Sequence, residues 1–416
     1  MLACLPRFTG GHHYFYPGFN GARVEDAEKL KHEVVHFLEN RTGLEAVMRV
    51  RASKGIRLSA FHGNFFLRTM DLLALPNVTP DHGYAVEYQI EDKLSTPVVC
   101  FQTAILHTSC DGKLFRQFFH KPKSVGERRI RVLTMTLPVT ASLTEMYESA
   151  DTLAIAALLA KKGVERTMSS KLDDARDALV TKCAELLGTY KTELTSAQSG
   201  AIAQLQVSDS LKLLPALMLA MVKHVAFRGG SQVPSDLRSH AQGLLTFMSP
   251  EAIAAYIHPY FYSLHNIPAA VGEINEAGQV VMPERLNLSA EKLERHGCYL
   301  IDDGHMHLMW LGRNVSPRLI QDLFGIEGGY EALRGGKQSV PETEHPFNIK
   351  VRNILMGARQ RQNEVYYPNL FVVKEDGDPA LRLWFLSFLI EDRTGEIFSY
   401  PQWLTYMKER VNNGNY

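Results

Sequence analysis

Arg49 and Arg51 are the residues whose type and spacing best suit a binding chemistry. They stand two apart in AVMRVRA (Ala46–Ala52). That run has strand character, so both guanidiniums project from one face. Like charges side by side are costly unless a carboxylate answers them, and arginine offers a planar donor fork that matches carboxylates. The answering group is either an internal Asp or Glu, or an acidic peptide held in a pocket.

Other candidates carry less. His305 and His307 share a strand face by spacing, but a metal site needs a third ligand, and no Cys or carboxylate stands at an obvious ligating distance in sequence. They read as surface histidines, as do His12 and His13. Acid–base catalysis needs two carboxylates facing one substrate. Asp302-Asp303 and Glu391-Asp392 are adjacent and diverge, so turn chemistry and solvation account for them. Gly335-Gly336-Lys337 fails as a phosphate loop, because the required Gly and Ser/Thr positions hold Glu331 and Gln338; it reads as a flexible surface loop. GxSxG does not occur, and HExxH spacing occurs once, at His32-Glu33-Val34-Val35-His36 within the helical run Val24–Asn40. The chain is expected to bind rather than catalyse, with no catalytic residue, no metal ligand and no cofactor of its own.

Lys113, Arg116, His120, Lys121 and Lys123 run into Arg128, Arg129 and Arg131, with Phe115, Phe118 and Phe119 between them. Single-strand nucleic-acid binders mix basic and aromatic residues in this way. Yet Lys+Arg and Asp+Glu both number 45, so the net charge is zero, whereas such domains are usually basic. A solvated loop is the first reading, a membrane-facing or partner-facing loop the second, and no nucleic-acid partner is expected. The five cysteines (Cys4, Cys100, Cys110, Cys183, Cys298) form no CxxC pair, which fits a reducing compartment. The apolar run Leu213–Val222 is shorter than the ~20 residues a bilayer span needs, and the N-terminus lacks a signal-peptide core. A cytoplasmic protein is expected.

A chain of 416 residues implies two to four domains. His13–Tyr16 reads as a strand and Val24–Asn40 as an amphipathic helix, the end of a larger domain (1–43). Alternating runs at Ala46–Ala52, Ile56–Phe61, Tyr84–Ile90, Val98–Thr108 and Arg129–Thr136 suggest an antiparallel β-sandwich over 44–144, interrupted by a loop at 111–124. Helical periodicity then takes over 145–265: Ala150–Lys162, Leu172–Tyr190, Leu211–His224, Asp236–Met248 and Pro250–Pro259, with Ser249-Pro250 a start signal. A mixed α/β unit follows over 266–398. It comprises a helix Ser289–His296, a hairpin of Tyr299–Asp302 and His305–Leu311 turned by Asp303-Gly304, and a helix between Ser316 and Gly325. The basic helix Pro346–Gln362 and strands Tyr367–Val373 and Leu381–Ile390 complete it. Ser399 and Gln402 have capping-box spacing for a last helix (399–416). The fold class is multidomain α+β.

Several segments in order resemble the cargo-adaptor subunit of the COPII vesicle coat. They are Thr9-Gly10-Gly11 through Tyr16-Pro17-Gly18-Phe19, EAVMRVRASKG (Glu45–Gly55), HGNFFLR (His62–Arg68), QTAILHTS (Gln102–Ser109) and GERRIRV (Gly126–Val132). LPALMLAMVKHVAFRGG, GRNVSPRLIQDLFG and FLIEDRTGEIFSYPQWL complete the set. The resemblance implies a β-sandwich, a helical domain and a gelsolin-like domain. It implies a coat component that captures sorting signals for transport from endoplasmic reticulum to Golgi. Implied partners are a sister COPII subunit, the cytosolic tails of membrane cargo and SNAREs, and, indirectly, the coat's small GTPase. The implied location is peripheral on the membrane of exit sites and vesicles. Arg49 and Arg51 match arginines lining a pocket for acidic and hydrophobic-acidic signals, bordered by Leu106. The family's zinc finger and most of its von Willebrand-A-like trunk are expected upstream, so zinc belongs there. Cys110–Val125 departs from the family, which passes almost directly into GERRIRV. A gelsolin-like actin or calcium module, with acids such as Asp302 and Asp303 as ligands, is the alternative.

Overall fold

The structure, a computed structural model, describes residues 4–69, 71–110, 126–194, 205, 207–230, 233–361 and 365–414. The basic, aromatic loop spanning Lys113 to Lys123 lies outside them.

After two helices, Cys4–Thr9 and Val24–Glu39, come seven strands: β1 (Gly43–Ala52), β2 (Ile56–His62), β3 (Phe66–Thr69), β4 (Leu72–Val78), β5 (Ala85–Ile90), β6 (Val98–Ser109) and β7 (Glu127–Pro138). Five pair antiparallel in the order β3-β4-β1-β6-β7, and β2 pairs with β5. Period-two alternation sends Ala46 and Met48 inward onto Leu73 and Leu75, with Phe61, Tyr84 and Ile105 around them. The sequence reading missed β3 and β4. LLALPNV is apolar on both faces, so it carries no alternation to detect.

Helices Thr152–Thr167, Leu172–Leu194, Leu214–Lys223, Ser235–Phe247 and Pro250–Ile257 form the middle unit. Asp151 starts the first, its carboxylate accepting the Leu153 and Ala154 N–H groups at 2.9 and 3.0 Å. Ser249 starts the last as expected, accepting from Ala252. The final helix, Tyr400–Asn412, carries the expected Ser399–Gln402 capping box and anchors Trp403 Nε1 on the Pro215 carbonyl at 2.8 Å.

The third unit is a sheet of β8 (Tyr260–Ser263), β9 (Cys298–Asp302), β10 (Met306–Leu311), β11 (Gly336–Lys337) and β12 (Asn369–Lys374), ordered β11-β12-β10-β9-β8. Helices Pro317–Phe324 and Pro346–Arg361 lie between β10 and β12 in sequence, and that pair runs parallel. Both faces are buried. Tyr299, Ile301, Leu308 and Trp310 join the core of the helical unit. Cys298, Leu300, Met309 and Leu311 pack on Ile320, Leu323, Val351 and Ile354. The two units therefore share one sheet.

Several expectations need correction. His13–Tyr16 pairs with no strand. Of Ser289–His296 only a single 3-10 turn, Ala290–Lys292, is helical. Leu381–Ile390 is not a strand: helix Pro379–Leu386 occupies it, capped by Asp378 with Pro379 in its first turn. The hairpin turn is longer than two residues, because Asp302 pairs with His307 and only Gly304 has positive φ. Asp302 and Asp303 are each 1% exposed rather than solvated. Asp303 Oδ1 accepts the His305 and Met306 N–H groups at 2.8 Å, and burial pushes its carboxyl up to about 7. His307 is fully buried, 3.4 Å from Asp302. His305 lies between the Tyr256 and Tyr366 rings. Neither is a surface histidine, and nor are His12, packed on His82 and Phe247, and His13, packed on His240. Lys337 belongs to β11 and pairs with the buried Asp26, so its loop is not a free surface loop. Gly325 ends its helix with φ 67° as expected, although Ser316 makes no side-chain cap.

Sandwich and helical unit meet at Lys161, which is 1% exposed. Its ammonium donates to the carbonyls of Gly83, Leu245, Thr246 and Met248 at 3.2, 3.3, 2.7 and 3.0 Å. Three of these belong to the C-terminal end of helix Ser235–Phe247, where backbone carbonyls lack helical partners. Nearby, His62 joins Glu87 of β5 to Glu165 of helix Thr152–Thr167. Burial opposes its charge, but the hydrogen bonds to Glu165 and Glu87 raise its pKa.

Two consequences are measurable. Replacing Lys161 with Met leaves buried carbonyls without donors and is expected to lower stability to urea by about 3 kcal/mol. Burial also lowers His12 to about 4 and His240 and His224 to about 3. The unfolded chain, titrating near 6.5, then binds more protons than the folded one as pH falls. In thermal melts the contribution of these three histidines should be fully present above pH 6.5 and lost progressively toward pH 4. An H240F variant should show a shallower acid loss.

Candidate functional site

The outward face of the five-stranded sheet is the surface that gathers the candidate residues. Residues paired across an antiparallel ladder point to the same side. Val47 pairs with Leu106 and Ala74, Leu106 with Ile130, and Ala74 with Phe66. This gives an apolar row across all five strands, with Ile130 64% and Phe66 52% exposed. One step along, Arg49 pairs with Ala104 and Leu72, and Ala104 with Val132. A further step brings Arg51 opposite Gln102. Arg49, Arg51 and Leu106 thus lie on one face, as the two-residue spacing implies.

The two arginines differ in their partners. Arg49 reaches Asp71, just before β4, with Nε and Nη2 at 2.6 and 2.5 Å from Oδ2. The internal-partner reading therefore holds for Arg49. Asp71 is 22 residues away in sequence, and nothing in its own local pattern marked it as that partner. Arg51 is exposed and makes no hydrogen bond or ion pair with any described residue. At the other end of the apolar row Arg128 donates to the Glu45 carbonyl and to Thr108 Oγ1. The surface therefore presents greasy side chains between cations, one of them unanswered among the described residues.

The alternative calcium reading meets a physical obstacle. Arg361 lies 3.8 Å from Asp302, and His307 lies on its other oxygen. Asp303 is committed to two backbone N–H groups. A cation placed there would face a guanidinium rather than a free oxygen cage. Asp392 is also structural, accepting from Ser289 Oγ and the Ala290 N–H. One grouping escaped the sequence reading altogether. His265, Glu294 and His296 bring their ligating atoms within 4.8 Å of one another. Glu294 and His296 are two apart, but His265 is distant in sequence, and the fold alone joins them.

A sandwich, an all-helical unit and a gelsolin-like sheet, in this order, define the class of Sec23/Sec24-type coat architectures. The family models agree by segment: the Sec23/Sec24 beta-sandwich domain matches residues 43–116, the Sec23/Sec24 helical domain 151–255 and the gelsolin repeat 279–329. The protein transport protein sec24 of Aspergillus niger is 44% identical over 415 residues, 99% of this chain and 43% of that protein. The SEC24 protein of Coccidioides immitis is 45% identical over the same shares. The crystal structure of the human COPII-coat protein Sec24c superimposes with a TM-score of 0.87 at 25% identity, covering all of this chain and 51% of that one. The chain belongs to the Sec24 family. It spans somewhat under half the length of the curated relatives it matches.

Because Arg49 and Arg51 lie at the surface, they contribute little to folding. Arg49→Ala and Arg51→Ala should each change stability by less than about 1 kcal/mol, read as nearly superimposable thermal melts.

Proposed function

We propose that this chain acts in protein transport as a COPII coat component. In this reading it selects cargo by binding sorting signals on cytosolic tails through the outward sheet face. The observation that carries the reading is Arg51, a cation with no partner among the described residues, beside the row Phe66, Val47, Leu106 and Ile130, which is exposed at its two ends. An extended hydrophobic-acidic segment matches it: apolar side chains cover the row while a carboxylate meets the guanidinium. The sister subunit, SNARE tails and the coat's small GTPase are the partners this role requires, with peripheral attachment at endoplasmic reticulum exit sites. Among the described residues no helix is long and apolar enough to cross a membrane. Relatives are named as transport proteins, which supports a binding role over catalysis.

The test is titration of acidic and hydrophobic-acidic signal peptides against the wild-type chain and the Arg51→Ala, Arg49→Ala and Leu106→Asp variants. Loss of a charge-assisted hydrogen bond, roughly 1.5–3 kcal/mol, should weaken binding most in Arg51→Ala. Arg49→Ala should cost less, since Asp71 already occupies that guanidinium. Equal binding by all four proteins would remove the face from consideration.

A further inference from the structure

We infer that His265, Glu294 and His296 form a zinc-binding site at the β8–β9 end of the gelsolin-like sheet, with a fourth coordination position left to solvent. His296 Nε2 lies 2.9 Å and His265 Nε2 3.5 Å from Glu294 Oε2, and all three ligand atoms fall within 4.8 Å of one another. Ligands held about 2.0–2.1 Å from a tetrahedral zinc are roughly 3.3 Å apart. These separations bracket that value, so small side-chain rotations close the site around one ion. Two imidazoles and a single carboxylate suit zinc, whereas calcium and magnesium prefer sets made wholly of oxygen.

The framework under the ligands is fixed. The Leu264 N–H donates to the Cys298 carbonyl at 2.8 Å, which clamps the loop carrying His265 to the start of β9. On the other side the Glu294 N–H donates to Tyr299 Oη at 3.0 Å, and the Asn314 N–H to the Arg295 carbonyl at 2.7 Å. The turn bearing Glu294 and His296 is thereby tied to both β9 and the loop after β10. The His265 side chain is 8% exposed and stands edge-on to the Tyr299 ring at 5.1 Å. Its Nδ1 lies 3.3 Å from the Cys298 carbonyl and 3.0 Å from Ser263 Oγ. The Cys298 N–H donates to Nδ1 at 3.2 Å, so these contacts fix the ring with Nε2 facing Glu294. Glu294 and His296 are 55% and 63% exposed, so an ion enters without opening the fold.

The experiment is calorimetric titration of metal-stripped protein with zinc chloride, with calcium chloride as comparison. Visible absorption of the cobalt(II)-loaded protein gives a second readout. His296→Ala and Glu294→Gln are the variants, because both side chains are exposed and their loss spares the core. Zinc affinity should fall at least about tenfold in each, and the intense bands of four-coordinate cobalt should fade with it. The chain has 16 histidines, so only the difference between wild type and variants counts. The inference is overturned by absent zinc binding, by affinity unchanged in both variants, or by calcium binding as tightly as zinc.

Discussion

The Lys161 ammonium is the constraint on which the arrangement of the first two units depends. A charge buried to 1% exposure is tolerated only where several oxygens answer it. Four carbonyls do so, from Gly83 in the sandwich and from the end of helix Ser235–Phe247. The same contact explains Gly83. Its N–H donates to the Phe247 carbonyl at 2.8 Å, and a Cβ built there would lie 2.3 Å from the Met248 carbonyl oxygen. Only a glycine brings the backbones close enough for one lysine to span both. The docking of sandwich on helices is therefore fixed by a short backbone approach and a buried lysine.

The helical and gelsolin-like units are joined differently. The central strands β9 and β10 send alternate side chains into two cores, so the sheet is a shared wall. Lys223 repeats the lysine device at this second junction, donating to the Ile390 and Asp392 carbonyls. Helix Val24–Glu39 reaches the same sheet through its polar side. Buried Glu33 accepts from Tyr16, Lys29 and the Tyr367 N–H, while Val34, Val35 and Leu38 face outward. That inverts the usual amphipathic pattern, in which the apolar face is the buried one.

Legibility followed the strength of local signals. The alternation of β1, β6 and β7, the Ser249, Gly325 and Ser399–Gln402 signals and the long apolar helices could be read because each is decided within a few residues. Leu381–Ile390 could not, since a short apolar run fits helix and strand alike, and Asp378 with Pro379 outweighed it. His305 and His307 were misread because polarity was taken for exposure. Their burial comes from Tyr256, Tyr366 and Asp302, two of them distant in sequence. For the candidate face, spacing placed Arg49 and Arg51 together, but Asp71 and the histidine–glutamate cluster are contacts that only folding creates.

The partner of Arg49 also decides how the face would discriminate between ligands. An exposed ion pair contributes only about 0.2–1 kcal/mol, so Asp71 holds Arg49 in place without locking it there. A ligand carboxylate arriving at Arg49 exchanges one such pair for another, with little net gain. At Arg51 it meets a guanidinium that no described residue already holds. The net charge of the chain is zero, so no overall field adds to this difference. Charge alone would then favour acidic segments weakly, and the apolar row from Phe66 to Ile130 must supply the rest. At about 25 cal/mol per Å² of apolar surface covered, one well-seated aliphatic side chain matches a charged hydrogen bond. A ligand satisfying both features is favoured over one satisfying either, which makes the register between its apolar and acidic residues the property this face would read.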